Sequence, residues 1–323
     1  MSASEPPPIS STPPPPPPPG SSGERSVVAT VFLGPQGVRA GWRLLLFAIL
    51  FILLQLGTAP LLRPLFHRIA PPGTGLSAWL LLAGDGSAVL LAFLAAFVMG
   101  KIEKRTFGAY GLPWRKAFQS QFWEGALWGF VALSALLGAL AAAHTFSLGS
   151  GGLGTRAAVE QGLLWGAGFT AVGFLEEFLF RGYPLATLTD GIGFWPAAAL
   201  LSLGFGAIHL GNTGESYLGA LMAAGIGFIF CLTVRRTGNL WFAIGLHASW
   251  DWAETFFYGV PNSGQVASTH LFSSSSHGSV WLTGGSVGPE GSVLALVVLV
   301  VLWVAVDRRF RQVRFPAERT AAR

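Results

Sequence analysis

Residues 44–62 read LLLFAILFILLQLGTAPLL, an apolar stretch without a single charge. Wound as an α-helix at 1.5 Å per residue, it measures about 28 Å, close to the hydrocarbon thickness of a bilayer. Working outward, apolar runs of this kind recur at 76–99, 122–143, 157 to past Arg181, 194–210, 217–234, 240–258 and, more briefly, 293–306. Eight such runs predict an all-α polytopic membrane bundle of about eight transmembrane helices. Composition agrees. Of 323 residues, 51% are apolar and 11% charged, against roughly 25% charged in soluble domains. That balance excludes a soluble enzyme, a coiled coil and a disordered regulator. The one cysteine, Cys231, rules out an internal disulfide and any metal site built from paired cysteines.

The net charge of +5 does not point to nucleic acid, because the charge is not spread over a folded polar surface. Basic residues sit in clusters that flank apolar runs: Lys101 to Lys116, Arg235 with Arg236, and Arg308 to Arg314. Short basic loops stay in the cytoplasm. With eight spans, these loops and both termini fall on that one side, and Arg63, Arg68 and Arg156 are the exceptions. The expected location is therefore a cell membrane with both ends cytoplasmic. The basic stretch 101–116, with Phe107, Tyr110 and Leu112, is expected to lie along the membrane surface.

Three segments follow. Residues 1–24 hold ten of the 21 prolines and predict an extended, disordered arm with no signal-peptide pattern. Residues 25–310 form the membrane domain, with its motifs in 157–258, and 311–323 make a basic tail. No internal repeat of the kind that builds inverted-repeat transporters is visible. The Gly- and Ser-rich loop 259–290 is expected to cover the outer mouth of the bundle; its His270 and His277 receive no role.

Ionisable groups inside a bilayer cost about 2.5–3.5 kcal/mol each on insertion scales, so they mark functional sites. Run four carries Glu176, Glu177 and Arg181, run five ends on His209, and run seven carries His247 and Asp251. Glu177 and Arg181 are four apart and can pair, as can His247 and Asp251, whereas Glu176 lies about 100° round the helix from Glu177. If these runs pack together, Glu176, His209, His247 and Asp251 share one polar pocket able to activate water and to hold a divalent metal or an oxyanion. Asp85, between Gly84 and Gly86, either lines that cavity or caps a broken helix, and is left outside the site.

As a set, Glu176-Glu177-x-x-x-Arg181, Phe205-x-x-x-His209 and His247-x-x-x-Asp251 resemble the CPBP family of intramembrane proteases. That family includes CAAX prenyl endoproteases of the Rce type and bacterial abortive-infection proteins. The resemblance covers about residues 100–258. It implies eight helices around a polar cavity open toward the cytoplasm, and hydrolysis of a peptide bond in a membrane-associated peptide or protein. It assigns Glu176 as general base, His209 as its partner or a metal ligand, and His247 as oxyanion donor or ligand. Glu177 would hold Arg181 and the local geometry.

One position departs from the pattern: Asp251 stands where the family uses asparagine. An ionised carboxylate cannot donate to an oxyanion, so Asp251 is protonated, a cation ligand, or an acceptor that orients His247. A Zn²⁺ held by Glu176, His209, His247 and Asp251 and a metal-free, glutamate-activated water both stay open. Two other functions share the polar set, a catalytically silent immunity or scaffold protein of the same fold and a proton-coupled transporter.

Overall fold

The structure is a computed structural model that describes residues 31–34, 37–69, 75–212 and 214–316; the Pro-rich arm expected over 1–24 lies outside these residues, as does the end of the basic tail. The segment up to Arg39 is a unit by itself, in which β1 (Leu33–Gly34) pairs antiparallel with β2 (Gly37–Val38).

The second unit begins at Ala40 and is a helical bundle. Its helices are α1 (Ala40–Ile69), α2 (Ala78–Glu103), α3 (Ser120–Ala142), α4 (Thr155–Glu177) and α5 (Tyr183–Ile192), followed by α6 (Phe194–His209), α7 (Tyr217–Thr237), α8 (Trp241–Trp252), the single turn α9 (Val280–Thr283) and α10 (Val293–Arg309). Among the described residues, five stretches are long and apolar enough to cross a membrane: α1, α2, α3, the continuous 155–192 segment and α7. Together with α6, α8 and α10 they match the eight apolar runs, and the chain is an integral membrane protein. Start and stop signals explain the boundaries. Ser77 and Ser216 accept hydrogen bonds from Leu80 N and Gly219 N, and Gly238 ends α7 in the left-handed region at φ 77°.

Hydrogen bonds and ion pairs define the two ends of this bundle. At one end Arg236 pairs with Asp307 and Arg309 with Glu124, while Leu240 N donates to Gly111 O and Arg105 reaches Asp190 at 2.5 Å. All the basic clusters lie there, and we call it the basic end. At the other end, loop 259–290 ties the connections together: Ser268 N donates to Leu76 O, His277 N to Thr145 O, and Ser286 Oγ to Gly214 O. We call this the loop end.

Without water between helices, membrane bundles gain stability from close packing, which small residues permit. Helices α3 and α8 run parallel, and Gly125 and Gly129 of α3 lie directly on the backbone of Phe242 and Leu246, with Gly245 against Phe122 O in return. A side chain at any of the three would run into a main-chain carbonyl that cannot move aside. Gly125→Val is expected to destabilise the bundle by about 1–3 kcal/mol, the usual cost of overpacking. Thermal unfolding in detergent checks this against Gly138→Ala, where a Cβ meets open space.

Two expectations change. Helix α2 runs unbroken through Gly84-Asp85-Gly86, so Asp85 caps nothing. In the basic stretch 101–116 the rings of Phe107 and Tyr110 face the protein rather than an interface. The stretch folds into two short 3₁₀ turns, Phe107–Tyr110 and Trp114–Lys116, whose Tyr110 and neighbouring Leu112 are buried. The reason is aromatic packing. Phe107 stacks at 6.2 Å on Phe178, and Trp114 meets Trp241 at 6.4 Å, so the rings find partners in the protein before they find lipid.

Candidate active site

The site is built from Arg181 outward. Helix α4 continues after Glu177 into one π-helical turn, Phe178–Gly182, and α8 does the same over Ala253–Phe257. Such widened turns often accompany functional residues. The Arg181 side chain is fully buried and its Nη1 donates to Glu177 Oε1 at 3.3 Å. Among the described residues its Nε and Nη2 have no hydrogen-bond partner. Aromatic faces take their place: the guanidinium lies 4.2 Å from the Phe205 ring and 5.4 Å from that of Phe230. Gly227 on α7 leaves the space for it, since a Cβ there would overlap Nη2.

Glu177, fully buried, also binds His247, whose Nδ1 lies 2.9 Å from the same Oε1. This bond fixes the imidazole orientation, and the ring stacks on Phe230 at 5.3 Å. The opposite nitrogen, Nε2, stands 3.6 Å from Glu176 Oε2 and 3.5 Å from Asp251 Oδ2. Adjacent glutamates on one helix thus approach a single imidazole from its two sides. Glu177 is buried on the protein side, and Glu176, at 27% side-chain exposure, faces open space.

That space is a cavity of about 240 Å³. Glu176, His209, His247 and Asp251 all line it, so the predicted convergence of α4, α6 and α8 is met. His209 reaches it from the last turn of α6, where its Nδ1 bonds to Phe205 O at 2.7 Å. The imidazole that approaches Glu176 is His247. Glu177 and Arg181 form the packed support behind this wall.

The cavity also takes in residues the sequence reading left out. Asp85 of α2 lines it within electrostatic reach of Glu176. From the 259–290 loop come Asn262, whose amide donates to Thr255 Oγ1 at 3.1 Å and also reaches Asp251, and Glu290, which accepts from Ser263 N (2.5 Å) and Ser263 Oγ (2.8 Å). Burial pushes the Glu290 carboxyl up to about 7, while the Ser263 bonds oppose that rise. Asp85 had a signal, a lone acid in an apolar run. Asn262, Glu290 and Gly227 had none, because loop composition and a helical glycine carry no partner information.

The donor chemistry suits a divalent cation. With Nδ1–H given to Glu177, Nε2 of a neutral His247 offers a lone pair beside two carboxylate oxygens, and Glu177 behind the ring resembles the carboxylate that commonly orients a ligating histidine. Even so, no three His, Cys, Asp or Glu side chains among the described residues form a group that could already hold a metal. The set is a cation-compatible wall that would need side-chain adjustment to close.

The bundle thus encloses a polar cavity walled by carboxylates and imidazoles. Residues 158–253, which span α4 to the end of α8, match the family model for type II CAAX prenyl endopeptidase, Rce1-like. The match covers the segment that holds all three motifs. Neither the curated proteins nor the solved structures gave a match to it.

Proposed function

We propose that this protein is an intramembrane endopeptidase in which Glu176 activates water against a peptide bond of a membrane-tethered substrate. The observation that carries this reading is the approach of Glu176 Oε2 and Asp251 Oδ2 to His247 Nε2 on the wall of an intramembrane cavity. Glu176 takes the proton from water and delivers it to the departing amine. His247, held through Nδ1 by Glu177, presents Nε2 to the oxyanion, and a protonated ring donates there. His209, on the same cavity, positions water or the substrate carbonyl. Arg181 holds the Glu177 carboxylate in place so that the imidazole stays oriented.

A divalent ion such as Zn²⁺ would be held by Glu176, His247 and Asp251, with His209 as a fourth donor; when bound, it supplies a Lewis acid and lowers the pKa of water. The membrane is of bacterial inner type, with both termini cytoplasmic.

The test is cleavage of membrane-tethered peptides by the full chain in liposomes, with new termini read by mass spectrometry. New termini from wild type and none from empty liposomes support the proposal; intact peptides throughout, prenylated and unprenylated alike, refute it. Asp251→Asn resolves the role of the departure from the family pattern. We expect it to lower metal content and to weaken divalent-metal affinity by at least about tenfold, with cleavage falling in step. Unchanged cleavage by a metal-free Asp251→Asn protein would instead make Asp251 an orienting acceptor.

A further inference from the structure

The basic clusters and the cavity mouth lie at opposite ends of the bundle, so a basic end in the cytoplasm and a cavity open to the cytoplasm do not hold together. The cavity lining settles where the mouth is. Polar groups from three connections reach it: Asn212 and Glu215 between α6 and α7, Asn262, Ser263 and Gln265 after α8, and Glu290 before α10. Each belongs to the loop end. Among the described residues, none of the basic-end segment 104–119 and none of residues 231–245 lines the cavity.

Below the site the bundle is plugged. Phe178, Trp241 and Ile244 are fully buried, and Leu112 and Tyr110 close the packing toward the basic end. Phe93 meets Phe178 edge-on at 4.9 Å, and Phe174 meets Trp241 at 5.4 Å. An extended peptide has no route through these rings. Seen from the other side, a substrate backbone meets amide and hydroxyl groups of the kind that replace water around a peptide, and then Glu176 and His247.

We infer that the site is entered from the loop end and, because short basic loops remain cytoplasmic, that its substrate is a membrane-tethered chain whose cleavage segment lies on the non-cytoplasmic side. This rests on the endopeptidase reading for the fate of the substrate, but not for the direction of entry. The aromatic plug makes the two faces of the bundle unequal: the loop end leads into the polar-lined cavity down to Glu176, and the basic end is closed by packed rings.

Cysteine accessibility tests the direction without needing activity. In a full-length Cys231→Ala background, which removes the one native and fully buried thiol, single cysteines are placed at three positions. Gln265→Cys is at the mouth, Ala223→Cys is in the cavity wall, and Lys116→Cys is on the exposed basic end. Ser268→Cys and Arg115→Cys serve as second probes of the two ends. Intact bacterial cells expressing each variant are treated with a small, charged, membrane-impermeant thiosulfonate, before and after permeabilisation.

The expected result is modification of Gln265→Cys and Ala223→Cys in intact cells, and of Lys116→Cys only after permeabilisation. Modification of Lys116→Cys from outside overturns the inference, as does an Ala223→Cys that becomes reactive only once the cytoplasmic side is opened. If the accessibility pattern is as expected and no tethered peptide is cleaved on either side, the direction of entry stands and the endopeptidase reading fails.

Discussion

Glu176→Gln is expected to lower peptide cleavage by about 10²–10⁴-fold, the usual contribution of a positioned general base, without unfolding the protein. The geometry separates the two outcomes. Glu176 is partly exposed on the cavity wall, and its Oε2 stands 3.6 Å from His247 Nε2, at contact distance but beyond a hydrogen bond. An amide of the same shape fills the same volume and leaves Glu177 to hold the imidazole. What it removes is the basic lone pair that takes a proton from water. Cleavage in liposomes and thermal unfolding in detergent, measured on one preparation, check the prediction. A Glu176→Gln protein that cuts at the wild-type rate would move the base to another carboxylate of the cavity, and one that fails to fold would make Glu176 structural.

Arg181→Ala is expected to destabilise the fold by about 3–5 kcal/mol, as loss of one partner from a buried ion pair generally does. Both side chains of the Glu177–Arg181 pair are fully buried, so no water compensates the carboxylate that remains, and the space beside Gly227, Phe205 and Phe230 is emptied. The pair itself need not contribute net stability, since the desolvation of two ions offsets much of their attraction. Replacing both, as in Glu177→Gln with Arg181→Met, is therefore expected to recover most of the lost stability. Cleavage should not return with it. His247 would face an amide in place of the carboxylate at 2.9 Å, and the ring would lose the partner that sets its orientation. Stability and cleavage thus part company in the double variant. If they recover together, Glu177 has no part in orienting His247.

Much of the site was legible because helical spacing carries it. Glu177 with Arg181 and His247 with Asp251 are four apart, and the structure finds both contacts, at 3.3 and 3.5 Å. The pairing across helices was not legible. The family resemblance made His209 the partner of Glu176 or a metal ligand, and the structure brings His247 to 3.6 Å from Glu176, because the packing of α4 against α8 decides which ring a glutamate meets. Gly173 shows the cause: a Cβ built there would stand 3.2 Å from Ile244 O, so the bare glycine lets the two helices approach one turn before the glutamates.

The sequence by itself determined that this protein lives in a membrane, how many apolar runs it has, and which of them carry charge. Those properties follow from local quantities: run length against bilayer thickness, the cost of a buried charge, and the placement of basic loops. Tertiary structure alone decided that Asp85, Asn262 and Glu290 join the cavity, that Gly227 makes room for a guanidinium, and that the rings of the 101–116 stretch turn inward to seal one end. Each of these depends on contacts between residues far apart in the chain, and periodicity within one helix holds no record of them.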